Sequence, residues 1–465
     1  MPDDYQDSLA FLYGRLNYER VGMPRIPAEL RLGRMRRLLR RLGDPHVGLK
    51  VVHVAGTKGK GSTSAMIASA LSASGVSTGL FCSPHLHSLE ERFCVDGRQA
   101  SADELVRLTD ILRPIVEALD AENVAAQHRG PTFFEITTAM GLLHFARSGV
   151  GAVVLEVGLG GRLDSTNVVR PVVAVVTNIS LDHTRQLGSN LASIAGEKAG
   201  IFKRGCPAVS GESKREPRDV IRRIARERRC RFHEIATDFQ YDYEPPKSPP
   251  TQPTAGRVSV TTWRTNWGSL SLPMLGAHQA QNAAVALAAL DVLADQGFTI
   301  GPDSVSRGFA SLRFPARVEV LGEAPWVVVD GAHNVASAEA LAETLRTCFP
   351  PAPRTLIFGT TRDKDLTGQL SALLSGTSLV IATRYVENPR SVPPEEVADA
   401  VRALGGPDPM IAADPSSALA LARRETPANG MICVTGSLFL AAETRAVLLG
   451  MADGEVASTV EIGVR

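Results

Sequence analysis

The sequence predicts an α/β protein in two parts: a mostly parallel sheet with flanking helices over residues 1–316, and a smaller α/β unit over residues 317–465. Three observations predict it. Strand-length apolar runs alternate with helical patterns, the order that builds a parallel sheet covered on both faces. The alternation breaks at a stretch with five prolines, YDYEPPKSPPTQPTA (241–255). It resumes beyond RFPAR (313–317), which reads as a hinge.

Taken in order, LRLGRMRRLLRRL (30–42) places Leu32, Met35, Leu38, Leu39 and Leu42 at helical spacing. Its arginines read as a solvated face rather than a nucleic-acid patch. KVVHV (50–54) reads as a buried strand, followed by a glycine-rich turn and a helix of small residues, STSAMIASALSASG (62–75). Further strands are expected at 78–82, 152–158, 172–178 and 207–211, with a helix at 137–149. Residues 212–231 carry nine Lys/Arg against four acidic residues and predict a solvated helix. The prolines of 241–255 exclude a central strand or helix, so a surface loop is expected inside a short β-rich segment that includes 256–265. A helix follows at 278–297, and the second alternation has strands at 326–331, 354–359, 378–383 and 431–436.

Composition narrows the function. The 465 residues suggest two or three domains at ~150 residues each. Fifty Lys+Arg against 49 Asp+Glu leave a net charge of +1, so no global field recruits nucleic acid or an anionic membrane. The 41 glycines and 29 prolines are near average usage and not periodic, which excludes collagen-like and disordered classes. Six scattered cysteines without a CxxC pair read as free thiols in a reducing compartment. MPDDYQDS is acidic where a signal or transit peptide is not, and the apolar runs, broken by Glu156 or Asn178, fall short of the ~20 residues of a span. A cytoplasmic protein is expected.

The chemistry lies at strand ends. In VAGTKGKGST (54–63) a strand feeds a glycine-rich turn into a helix, aiming backbone N–H groups and the positive helix end at phosphates. This is a P-loop-type arrangement: Lys60 can reach terminal phosphates, and Ser62 or Thr63 can ligate Mg²⁺. Gly61 intervenes where the usual signature has Ser or Thr directly after Gly-Lys. Glu156, ending a buried strand in LEVGLGGRLDSTN (155–167), suits a Mg²⁺ ligand, or else caps the next helix. Asp182 and His183 follow another strand at the same edge, in TNISLDHT (177–184). Asp330, in DGAHN (330–334), can accept from ribose hydroxyls or cap a helix.

Together these motifs resemble the Mur-type ATP-dependent amide ligases, and among them the folylpolyglutamate synthase/dihydrofolate synthase branch. The resemblance is carried by HVAGTKGKGS (53–62), SPHL (83–86) with ERF (91–93), TFFE (132–135), EVGLGGRLDSTN (156–167) and TNISLDHT (177–184). It continues through EKAGIFK (197–203), HQxxN (278–282), FPAR (314–317), DGAHN (330–334) and TGSLF (435–439), in order over roughly residues 5–445. It implies an N-terminal ATP-binding domain of the Mur ligase central type and a C-terminal, Rossmann-like glutamate-ligase domain.

Residue by residue, the resemblance implies ATP at Thr57, Lys58, Gly59, Lys60, Gly61 and Ser62, with Asn282, Arg317 and Asp330. It implies two Mg²⁺ ions, the first held by Ser83 and Glu156 and the second by His183, with a carbamylated Lys198 as a further metal ligand. The catalytic set it implies is Lys60, Lys198, His183, Arg317 and His333. Its pterin-side residues are Thr132, Phe133, Phe134, Glu135, Leu163, Asp164 and Ser165, and Ser437 is implied in handling glutamate. One of the adjacent Phe133 and Phe134 would ordinarily face the core. An unmodified surface Lys198, paired with Glu197 or an Asp, is the plain alternative to carbamylation. Position 58 is Lys where many bacterial relatives have Asn, and 185–188 reads RQLG instead of a polar-aromatic pair before Leu-Gly.

The activity implied is ATP-dependent joining of L-glutamate to a folate carboxylate through an acyl phosphate, by a monomer acting on small molecules. Dihydropteroate as an additional acceptor, and dihydrofolate synthesis as the sole activity, stand beside it. Outside the class stand a non-catalytic ATP-binding regulator, which an intact Glu156, His183 and Lys198 disfavour, and an NTPase acting on nucleic acid, which the balanced charge disfavours.

Overall fold

Eight strands form the first sheet of the computed structural model, which describes residues 3–21, 32–125, 129–246 and 255–451. They are β1 (Val51–Ala55), β2 (Thr78–Phe81), β3 (Phe93–Val95), β4 (Arg98–Gln99), β5 (Ala152–Glu156), β6 (Val173–Val176), β7 (Ala208–Ser210) and β8 (Phe232–Glu234). Their order is β4-β3-β2-β5-β1-β6-β7-β8. The pairs from β2 to β8 are parallel, while β3 and β4 join the edge antiparallel. Every residue of β1, β5 and β6 is buried, as a sheet covered on both faces requires.

The Lys60–Ala73 helix is made of small residues because other backbones press against it. Ser69 Oγ donates to the Gly308 carbonyl at 2.7 Å, and a Cβ at Gly308 would lie 2.8 Å from the Ser69 carbonyl oxygen. Its buried Ala65, Met66, Ile67 and Leu71 share a core with Val52, Val54 and the alanine-rich Ala277–Ala294 helix. Fully burying a Val, Leu or Ile contributes about 1.5–3 kcal/mol each, so this cluster fixes the helix against β1.

A three-stranded antiparallel sheet, β11-β10-β9, packs on the Ala277–Ala294 helix. It comprises β9 (Gln240–Glu244), β10 (Gly256–Thr261) and β11 (Asn266–Leu272). Val258 and Val260 alternate inward, and Trp267 Nε1 donates to the buried Asp291 carboxylate at 3.2 Å. Here the structure corrects the sequence: residues 241–244, expected in a surface loop, form the outer strand of this sheet. Pro245 and Pro246 only follow that strand, so no proline interrupts its ladder. Residues 247–254 of the expected loop lie outside the described residues.

The third sheet has the order β12-β13-β17-β14-β15-β16. Its strands are β12 (Glu319–Glu323), β13 (Trp326–Val329), β14 (Arg354–Phe358), β15 (Thr377–Ala382), β16 (Met410–Ile411) and β17 (Met431–Thr435). All its pairs are parallel except the β12–β13 hairpin. The architecture is therefore the α/β arrangement expected, with a large parallel-dominated sheet and a second sheet in the C-terminal domain. All six cysteines are free. Among the described residues, no helix is long and apolar enough to cross a membrane.

Candidate active site

Ligands of open α/β sheets bind beyond the carboxyl ends of the strands, and this chain brings two such edges together. Ser83 follows β2, Glu156 ends β5, the glycine-rich loop follows β1, and Asn178 to His183 follow β6. Asp330 follows β13, Ser437 follows β17, and Lys364 follows β14. Thr57 to Ser62 of the loop and the other residues named, Leu181 excepted, line one cavity of about 990 Å³.

The phosphate loop is braced by the segment after β6. Thr57 N donates to the Asn178 carbonyl at 2.8 Å, and Lys58 N to Asn178 Oδ1 at 3.1 Å. Thr177 Oγ1 and Asn178 Nδ2 donate to the Lys58 carbonyl at 2.6 and 3.0 Å. Gly59 precedes the Lys60–Ala73 helix with φ 78°, and a Cβ there would lie 2.1 Å from Asn282 Oδ1. Position 61 is tight as well: a Cβ would meet Phe314 Cζ at 3.0 Å and Glu156 Oε2 at 3.4 Å. That crowding accounts for the glycine that breaks the usual signature.

Beside the loop, Glu156 Oε2 accepts from Ser83 N at 3.3 Å. Burial pushes the Glu156 carboxyl up, and the Lys60 ammonium opposes the shift. Lys198 is buried and donates to the Gly56 carbonyl at 2.8 Å, while Glu197 pairs instead with Arg162. The surface reading of Lys198 therefore fails. Burial, with the Lys60 charge adding to it, holds the Lys198 amine well below the ordinary lysine range. His183 takes φ 49°, and burial pushes its imidazole down to about 4.

Asp182 gathers donors from both edges: Lys58 Nζ at 3.0 Å, Lys364 Nζ at 2.9 Å and Asn334 Nδ2 at 2.9 Å. Burial alone would raise its carboxyl, but the Lys58 and Lys364 ammonium groups hold it far below the carboxylate range. Lys58 Nζ also lies 2.9 Å from His333 Nε2. Because His333 Nδ1 sits 2.8 Å from the Gly331 carbonyl, which can only accept, Nε2 is the acceptor for Lys58.

The segment joining the two edges is bent at Ala316 (φ 53°) and Val318 (φ 49°), on either side of Arg317. A β-branched residue in this region is strained, and the strain is pinned. Val318 N donates to Asp330 Oδ2 at 2.9 Å, and Ala332 N to Asp330 Oδ1 at 2.8 Å. Asp330 thus anchors the bend as well as lining the cavity.

On the other wall, Thr132 caps the Phe133–Arg147 helix, and Glu135 Oε2 accepts from Thr132 N at 2.8 Å and Oγ1 at 2.9 Å. Arg34 Nε completes the set at 2.7 Å from Glu135 Oε2. Arg34 was expected on a solvated helix face, whereas the Glu135 carboxylate draws it into the cavity wall. Asp164 accepts from Leu159 N at 2.8 Å and from Thr166 N at 3.0 Å. Ser437 Oγ caps the Leu438–Leu448 helix.

Of the residues expected at the site, all line this cavity except Phe133 and Thr63, whose side chain is fully buried and leaves Ser62 as the hydroxyl at the loop. Phe133 is fully buried, its ring stacked on Tyr13 at 5.4 Å with the Arg92 guanidinium over it. It is a core residue, and Phe134 is the aromatic on the wall. Arg34, Lys364 and Arg390 also line the cavity, and no motif marks them.

Comparison with known proteins meets this geometry. The Mur ligase middle domain matches residues 54–290, and the glutamate ligase domain of Mur ligases matches residues 316–438. The chain belongs to the Mur ligase family. Within the family it is 33% identical over 446 residues to the dihydrofolate synthase/folylpolyglutamate synthase of Bacillus subtilis, covering 95% of this chain and 98% of that one. It is 32% identical to the folylpolyglutamate synthase of Lacticaseibacillus casei, over 96% of this chain and 99% of the other. The folylpolyglutamate synthase of Mycobacterium tuberculosis, solved with ADP and AMPPCP, superposes with a TM-score of 0.85 at 30% identity, covering 96% of this chain and 98% of that one. The Mur ligase motifs fall on the cavity's two facing edges.

Proposed function

We infer that this chain is an ATP-dependent ligase that joins L-glutamate to the carboxylate of a folate. The observation that carries the reading is the single cavity between two sheet edges, with the phosphate loop on one side and Asp330, His333 and Ser437 on the other. The chain divides at the bend, residues 1–316 binding ATP and residues 317–465 forming the glutamate-ligase domain. It works as a cytoplasmic monomer.

A carboxylate is a poor electrophile, so ATP converts the folate carboxylate to an acyl phosphate, which the glutamate α-amine attacks as phosphate leaves. The protein's part is to position groups and neutralise charge. Backbone N–H groups of Gly59 to Ser62 cradle the phosphates, beside Thr57 and Lys58, whose N–H groups are held by Asn178; Lys60 and Arg317 face the transferring phosphoryl group, and Asn282 and Asp330 hold the nucleoside. Thr132, Phe134, Glu135, Leu163, Asp164 and Ser165 form the pterin-side wall. The facing edges exclude water that would hydrolyse the intermediate.

The donors also fit Mg²⁺. Among the described residues no three His, Cys, Asp or Glu side chains converge on one metal position. Mg²⁺ does not need them, because it binds through one or two carboxylates, with phosphate and water oxygens completing its shell. Glu156 and Ser83 would hold one ion; His183 and a carbamate on Lys198 would hold a second. Burial favours the neutral amine of Lys198 over the ammonium, and a neutral amine is the form that adds CO₂, losing a proton as the carbamate forms and so gaining oxygen donors. When bound, the ions supply positive charge to the phosphoryl oxygens.

Purified protein offered ATP, Mg²⁺ and glutamate with dihydropteroate or with tetrahydrofolate, and read by product mass, tests the reading. A mass gain of one or more glutamyl units on tetrahydrofolate supports polyglutamate synthesis, and a gain on dihydropteroate shows the additional activity. ATP turnover indifferent to both pterins would defeat the proposal.

A further inference from the structure

The proposed reaction leaves Asp182 without a part, although it lies one residue before His183. Its side chain is 8% exposed, yet it is bonded from four directions. Lys58 reaches it from the phosphate loop at 3.0 Å, Lys364 from the turn after β14 at 2.9 Å, and Asn334 from the turn after β13 at 2.9 Å. Its own Oδ1 also accepts from His183 N at 2.9 Å, where the backbone turns left-handed. One carboxylate therefore joins the phosphate loop, the loop carrying His183 and two turns of the opposite sheet edge. Through Lys58 it also reaches His333 Nε2.

We propose that Asp182 is a positioning residue whose carboxylate fastens the cleft shut, tying Lys58 to Lys364 and Asn334 and so setting His183 and His333 against the transferring phosphoryl group. The physical argument rests on what remains if the charge is removed. Two largely buried ammonium groups, on opposite edges, would then face each other with no shared counter-charge. Breaking such a set by deleting one member is costly because the others stay buried and uncompensated. Rotation of one sheet edge away from the other relieves that repulsion, so loss of the carboxylate opens the cleft. Asp182→Asn is the telling substitution, since it keeps the shape and one acceptor oxygen and removes only the charge.

Two measurements test this. The first, small-angle scattering, needs no assumption about the reaction. Wild type, Asp182→Asn and Lys364→Met are compared without ligand and with a non-hydrolysable ATP analogue plus Mg²⁺. Both variants should show a larger radius of gyration than wild type in at least one of these states, with unchanged circular dichroism. Should Asp182→Asn fail to fold, Lys364→Met and Asn334→Ala carry the same comparison from the opposite edge. Equal radii in both states overturn the proposal. The second measurement rests on the ligase reading: glutamate-dependent turnover in a double-mutant cycle. A misplacement of about 1 Å costs about a hundredfold, so each single variant should lose on that order in kcat, with KM for ATP much less changed. The double variant should be no worse than the poorer single one. Losses that multiply overturn the proposal. If wild type turns over no folate at all, the ligase reading falls, and the scattering comparison still decides the role of Asp182.

Discussion

Gly59→Ala should loosen the phosphate loop by an amount that can be divided into two causes. The first is backbone: with φ at 78°, alanine at this position costs about 1–2 kcal/mol. The second is contact, since the new Cβ would sit 2.1 Å from Asn282 Oδ1 and 2.7 Å from its Cγ. Asn282 is buried and held by Gln279 at 2.9 Å, so moving it breaks a bond worth about 0.5–1.5 kcal/mol. The overpacking costs about 1–3 kcal/mol more, and the sum is about 2.5–6.5 kcal/mol. Urea unfolding followed by the fluorescence of Trp263 and Trp267 reads this directly, because both tryptophans pack in the core that contains the Lys60–Ala73 helix. Gly59→Ala combined with Asn282→Ala should recover the overpacking and leave the backbone cost and the lost Asn282–Gln279 hydrogen bond. A Gly59→Ala protein that unfolds at the wild-type urea concentration, or a double variant no more stable than the single, would refute the reasoning.

Lys60→Ala should abolish glutamate-dependent ATP turnover with an unchanged melting curve, since Lys60 lies on the cavity wall and not in the core; normal turnover would remove it from the phosphate site. Phe133→Ala should cost about 3–5 kcal/mol of stability, whereas Phe134→Ala should chiefly raise KM for the folate. Urea curves and initial rates on the same pair of variants check both, and the opposite pattern would reverse their assignment. His53 is fully buried, with Nδ1 unpartnered, and burial followed by the Lys203 charge pushes its imidazole from 6.5 to about 3. Between those values the unfolded chain binds a proton that the folded chain does not, so stability is full above pH 6.5 and falls as pH drops toward 3. The loss from this residue should reach about 2 kcal/mol by pH 5. His53→Gln should lack that share, and equal losses in variant and wild type between pH 7 and 5 would disprove it.

Much of this molecule could be read before it was seen, for identifiable reasons. The central strands of the two parallel-dominated sheets are continuous apolar runs because they are buried on two faces. The loops after them carry the chemistry, so motif and strand end coincide at Thr57, Glu156, His183 and Asp330. Reading failed where the signal is too short or nonlocal. β4 and β16 have two residues each, too few for any period to register. Phe133 and Phe134 are adjacent on one helix, and composition cannot say which faces the core. Arg34 looks like its exposed neighbours Arg36 and Arg37 until Glu135, about a hundred positions away in sequence, is brought beside it. Lys364 sits in an ordinary charged turn, and only the meeting of two sheet edges gives it Asp182 as a partner.

The wall built from Thr132, Glu135, Asp164 and Arg34 has a consequence for ligand design. Its two carboxylates are already hydrogen-bonded to nearby groups of the chain, Glu135 to Thr132 and Arg34, and Asp164 to Leu159 and Thr166. Such groups present a fixed pattern of acceptors and lose little freedom when a molecule arrives. Affinity at this wall is therefore governed by how much freedom the visitor itself gives up. A planar, rigid scaffold whose donors match the pattern should bind more tightly than a flexible mimic carrying the same donors on rotatable bonds.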